Sequence, residues 1–187
     1  MTVERCALLL RAVNVSGRNR VPMSELRALL SARTTLADVS TYIASGNILC
    51  ESPDDPGIAC AAVRSLIAEA FGVDTPVIAR THAQLVRAEQ GNPFPDAPQD
   101  KMVHAMFLEG AAAPDAVEQL SARLQPEERI AVVDRELWID YGRGGAASTR
   151  LTGPVLERAL RTAGTARNVN TVRKLVQLTA PIRDGSD

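Results

Sequence analysis

Between Leu8 and Asn47 the chain reads LLLRAVNVSGRNRVPMSELRALL and then, after a short gap, TYIASGN. An apolar run ends in Arg11, Asn14, Ser16, Gly17, Arg18, Asn19 and Arg20, and Pro22 then opens an amphipathic stretch. Arginine is a fixed cation with a planar fork of donors that matches carboxylate or phosphate. Asn14 and Asn19 add neutral donors, and Gly17 lets backbone amides approach a ligand. A helix opening at Pro22 adds the partial positive charge of its free amides. The chemistry this pattern offers is anion binding. It is not a Walker loop, whose glycine spacing and Lys-Ser/Thr ending are absent. The competing account is an internally hydrogen-bonded loop that orders the strand-to-helix crossing.

A second cluster is Thr41, Tyr42, Ser45 and Asn47. Ser45-Gly46-Asn47 is tight-turn chemistry, and no base nearby in sequence could activate Ser45 as a nucleophile. A third is Arg167-Asn168-Val169-Asn170-Thr171, followed by Arg173 and Lys174. Asn170 there reads as an N-cap, and an Arg ahead of a helix start can hold an anion against it. The Gly142–Gly145 run and Ser148-Thr149-Arg150 read as a loop. His82 and His104 have no Cys, Asp or Glu at metal-ligand spacing, so neither metal nor cofactor is expected. Trp138 and Tyr141 read as packing residues. No catalytic set is complete, so the residues assign no reaction and leave open whether the protein is an enzyme.

The elements that must position these groups follow from composition and periodicity. The chain has 187 residues, 45% hydrophobic and 23% charged, and can bury a sizeable core; with aromatics at 3% that core is Leu, Val, Ile and Ala. MTVERCALLL lacks a basic leader before a long apolar stretch, and no run approaches a membrane span. Three cysteines without metal spacing read as reduced thiols, and the expected compartment is the cytoplasm. Charge is uneven: six basic and two acidic residues in 1–34, seven and seventeen in 35–142, seven and one in 143–174. Two basic ends flank an acidic middle, which would attract phosphates if they meet in space; solvated helix faces are the plainer account.

Strands are expected over 6–13, 39–43, 48–50 and 76–79, with helices from Pro22 to Ala32 and from Asp55-Pro56 to Gly72. That order is the split βαβ pattern. Thr81 to Gln84 is a capping-box candidate, and Gly91–Asp100 is a loop. The second half repeats the order loosely. A strand spans Met102 to Leu108 and a helix Pro114 to Leu124. A hairpin pairs Ile130–Val133 with Leu137–Tyr141, a helix runs from Thr152 to Ala163, and a last helix begins near Asn170. The expected architecture is α+β, two ferredoxin-like-related halves (1–90 and 91–187) packed as one unit.

LLLRAVNVSGRNRVPMSELRALL, TYIASGN, NPFP and ARNVNTVRKLVQL together resemble the bacterial domain-of-unknown-function family 1697 over roughly residues 5 to 178. The resemblance implies an α+β fold of ferredoxin-like-related halves and no assigned activity. The family's first motif usually reads Arg-Gly-Ile-Asn-Val-Gly-Gly, where this chain has Arg11-Ala12-Val13-Asn14-Val15-Ser16-Gly17. Its terminal motif usually reads Arg-Asn-Trp, where this chain has Arg167-Asn168-Val169. Arg11, Asn14, Asn19, Ser45, Asn47, Arg167 and Asn168 match.

The resulting expectation is a binding protein for a phosphate-bearing or other anionic ligand, held by Arg11, Asn14, Arg18, Asn19, Ser45, Asn47, Arg167 and Asn168. It further places Arg167-Asn168 beside the first loop. A nucleic-acid binder, an enzyme on a phosphorylated substrate and a structural module are the rivals. Scarce aromatics and a net charge of −1 argue against RNA recognition by sheet stacking.

Overall fold

The apolar run near the N-terminus becomes the second of two opening strands. In the computed structural model, which describes residues 2–15 and 17–183, β1 is Thr2–Val3 and β2 is Arg5–Leu10. Every residue of β2 is buried, as befits a central strand covered on both faces. The chain forms two compact units, Met1–Val86 with Leu175–Asp187, and Arg87–Lys174.

In the first unit, β2 is followed by α1 (Met23–Arg33), β3 (Ser40–Tyr42), β4 (Asn47–Glu51), α2 (Pro56–Phe71) and β5 (Val77–Thr81). The sheet order is β3-β4-β2-β5 with antiparallel neighbours. Two split βαβ crossovers therefore interleave, β4 lying between β2 and β3, and β2 between β4 and β5. Strand side chains alternate between faces. Cys6, Leu8, Leu10, Ile48 and Cys50 accordingly pack against Leu26 and Leu30 of α1 and Val63, Leu66 and Ile67 of α2. Helix α2 starts and stops where its sequence signals stand. The Asp55 carboxylate accepts from the amides of Gly57 and Ile58 at 2.8 and 3.0 Å, and Gly72 closes the helix at φ +66°.

The chain then enters α3 (His82–Gln90) through the expected capping box. The Thr81 amide donates to Gln84 Oε1 at 2.9 Å, and the Gln84 amide to Thr81 Oγ1 at 3.2 Å. The second unit has β6 (Val103–Leu108), α4 (Ala116–Ser121), β7 (Arg129–Val133), β8 (Glu136–Asp140), α5 (Gly153–Leu160) and β9 (Gly164–Asn168). Its order, β7-β8-β6-β9, repeats that of the first unit. Helix α6 (Val169–Leu178) follows, and β10 (Ile182–Arg183) pairs antiparallel with β1. The fold is α+β in two halves. Among the described residues no helix is long and apolar enough to cross a membrane.

Three expectations are corrected here. The helix expected to reach Ala163 stops at Leu160, where Arg161 adopts a left-handed φ of +54°, and the chain turns into strand β9. GTARN has no apolar alternation, so pairing with β6 makes it a strand where intrinsic propensity does not. The last helix is capped by Asn168 rather than Asn170: Asn168 Oδ1 accepts from the Thr171 amide at 2.9 Å. The first loop begins at Arg11 because β2 ends at Leu10, three residues before the expected strand end.

His104 on β6 meets Tyr141 edge-on at 5.0 Å between ring centroids, and its Nε2 lies 3.2 Å from the carbonyl of Lys101. Burial disfavours the imidazolium and holds this histidine below its usual 6.5. The folded state thus takes the proton less readily than the unfolded chain. The stability His104 contributes is present above pH 6.5 and is lost as pH falls from there through the lowered folded value. Denaturant titrations between about pH 5 and pH 8 should show this loss, and His104→Gln should flatten it. A His104→Gln protein with an unchanged pH slope would contradict the assignment.

Candidate functional site

Four residues of the first loop sit in the left-handed region: Ala12 at φ +48°, Asn14 at +55°, Gly17 at +75° and Asn19 at +50°. Gly and Asn tolerate this conformation, whereas a Cβ-bearing alanine costs roughly 1–2 kcal/mol there. Asn14 holds the loop closed. Its Nδ2 donates to the carbonyls of Val21 at 2.9 Å and Ala44 at 2.8 Å, and its Oδ1 accepts from the Val21 amide at 2.9 Å. The Asn14 amide donates to the Asn19 carbonyl at 2.9 Å, and Asn19 Nδ2 to the Ala12 carbonyl at 3.0 Å. At the loop's entrance the Arg11 carbonyl accepts from Thr75 Oγ1 at 2.6 Å. Ser16 lies outside the described residues.

The bond from Asn14 to Ala44 joins this loop to the second cluster. The turn carries Ile43 at φ +49° and Gly46 at φ +81°, and the Gly46 carbonyl accepts from the Leu10 amide at 2.8 Å. Asn47 is fully buried and donates to the Tyr42 carbonyl at 2.9 Å and to Ser45 Oγ at 3.2 Å. The asparagines expected to meet a ligand therefore spend amide groups on the loop's own backbone.

The arginines do something else. Arg18 and Arg20 are exposed, and neither pairs with an acidic side chain among the described residues. Several guanidinium groups elsewhere are matched: Arg33 with Glu69 at 2.9 Å, Arg129 with Asp140 at 2.8 Å, Arg161 with Asp115 at 2.9 Å. Arg27, which the motif reading passed over, donates to Thr41 Oγ1 at 2.6 Å just before the turn. Residues 11–27 thus hold four arginines and one glutamate in the first unit. Pro22, the N-cap of α1, supplies no side-chain cap to the helix amides.

Arg167 and Asn168 belong to the second unit. Arg167 sits on β9 opposite Ala105, is 6% exposed, and donates to Thr165 Oγ1 and the Ala166 carbonyl, both at 2.8 Å. Burial pushes its pKa down to about 10, so it stays a cation at neutral pH. Arg80, absent from the sequence reading, holds the equivalent place on β5 opposite Ala7 and is 2% exposed. The signal was available: Arg is the fourth residue of both VIART and GTARN.

No curated protein matches the chain. Among solved structures it is similar to the conserved bacterial protein SP0830 from Streptococcus pneumoniae. The TM-score is 0.73 with 24% identity, covering 95% of this chain and 99% of that one, which shows a shared fold. The family described as "Protein of unknown function (DUF1697)" matches residues 3–138, a span holding the first loop and the Ser45 turn but ending before Arg167. With nearly three-quarters of its length inside that match, the chain belongs to the DUF1697 family.

Proposed function

We propose that the protein binds a phosphate-bearing or other anionic ligand at the end of its first unit, through Arg11, Arg18 and Arg20. The observation that carries this reading is the pair Arg18 and Arg20: exposed, without acidic partners among the described residues, on a loop that Asn14 fixes from within. A cation held on a fixed backbone loses less entropy on meeting an anion than one on a mobile loop. The asparagines serve as the frame and the guanidinium groups as the contact. The three free cysteines suit a reducing cytoplasm.

The test is calorimetry and thermal shift with inorganic pyrophosphate, a nucleoside triphosphate, a sugar phosphate and an oligonucleotide. A bound anion at a hundred times its Kd should stabilise by about 2.7 kcal/mol. The Arg18→Ala/Arg20→Ala double variant should keep the unliganded melting temperature, each change falling within roughly 0.5 kcal/mol, and lose the ligand response. Unchanged affinity in the double variant refutes the site. A response to the oligonucleotide alone, steeply dependent on salt, would replace the small-molecule reading with a nucleic-acid one.

A further inference from the structure

We propose a second binding site, in the second unit, for a small uncharged molecule that presents an amide-type carbonyl beside an N–H. It is independent of the arginine loop. Trp138, the single tryptophan of the chain, lies at the middle of β8 between Ala105 on β6 and Ala131 on β7. Its small cross-strand neighbours leave room beside the indole. A cavity of about 370 Å³ adjoins it, walled by Glu89, Gln90 and Asn92 at the end of α3 and by Val172 and Arg173 of α6. That volume is within the range of small-ligand sites.

Trp138 is 1% exposed, and its Nε1–H finds no acceptor among the described residues. A buried tryptophan N–H ordinarily has a partner, so this one marks where a ligand acceptor belongs. The other polar groups define what surrounds that acceptor. Asn92 Oδ1 accepts from the Phe94 amide at 3.0 Å, which turns its NH₂ into the spare donor. Arg173 is neutralised in place, its Nε 3.9 Å from Glu89 and its Nη1 bonded to Asp100. A charged ligand would have to break that pairing, whereas an uncharged one would not. Glu89 keeps an acceptor oxygen for a ligand N–H, and Gln90 is an exposed side chain that lines the same cavity. A donor at the floor and an acceptor at the wall fit a lactam or carboxamide, the pairing found on a pyrimidine edge.

Because there is one tryptophan, the full-length protein labelled with ¹⁵N gives one indole resonance, which reports on this site alone. Titrations would use uracil and nicotinamide as uncharged amides, and acetate and inorganic phosphate as anions. The expected result is a saturable shift of the indole resonance with an uncharged amide and none with the anions. Val172→Phe, which fills the cavity from α6, should remove the shift. Glu89→Ala should weaken binding about tenfold or more, since a hydrogen bond to a charged acceptor is lost. No indole shift with either amide overturns the proposal, as does a linear drift of equal size in Val172→Phe. Saturation by phosphate instead of the amides overturns the ligand class. Should Val172→Phe not fold, calorimetry on Trp138→Phe decides, the amide heat being expected to vanish.

Discussion

Deleting residues 175–187 is expected to unfold the first unit. Leu175 and Thr179 are fully buried, and Thr179 Oγ1 donates to the Leu175 carbonyl at 2.8 Å while lying 3.1 Å from His82 Nδ1. Strand β10 supplies the pairing partner of β1, with Val3 opposite Ile182. Truncating a buried leucine alone typically costs about 2–5 kcal/mol. Adding the lost strand pair and the Thr179 bonds exhausts most of the 5–15 kcal/mol that holds an ordinary domain together. A fragment ending at Gln90 lacks the same groups and should show no cooperative melt. Calorimetry on the deletion variant, with limited proteolysis around Gly91–Asp100, checks both statements. A stable, independently melting 1–90 fragment would show that the returning segment is dispensable.

Gly46→Ala should be the most damaging single substitution at the candidate site. Gly46 sits at φ +81°, and a Cβ there would stand 2.7 Å from both Leu10 Cβ and Val13 Cγ2. Those neighbours are 0% and 1% exposed and cannot give way cheaply. Left-handed strain of roughly 1–2 kcal/mol adds to overpacking of roughly 1–3 kcal/mol, for a loss of about 2–5 kcal/mol. Gly17→Ala is the control, because at φ +75° its Cβ would meet nothing within 4 Å. It should carry the strain alone. Urea titrations giving equal losses for the two variants would refute the packing argument.

Much of the fold was legible where local chemistry and tertiary structure agree. Asp55-Pro56 and Gly72 bound α2, and Thr81 and Gln84 cap α3, through bonds between near neighbours in sequence. Strand β9 was not legible, because an edge strand with two polar side chains and an arginine is defined by its partner β6. The site divides the same way. That Arg18 and Arg20 could meet an anion follows from residue type. That Asn14 faces its own backbone depends on a left-handed φ and on a carbonyl thirty positions away, at Ala44. The family motif has glycine where this chain has Ala12, and the φ of +48° there gives the physical reason for a glycine. The setting of Trp138 between Ala105 and Ala131 depends on register, which no local reading of LWID contains.

The division of the first unit between two segments separated by Arg87–Lys174 orders events on the ribosome. Its first 86 residues emerge early, but the segment from Leu175 onward is made only after all of Arg87–Lys174. At ordinary elongation rates that interval is roughly 4 to 18 s, long compared with the folding of a small domain. The inserted unit, which is contiguous, can complete its own sheet while the first half is still waiting. Residues 1–86 therefore wait for the segment that completes their unit, and nascent-chain surveillance would meet β1 still lacking the strand that pairs with it.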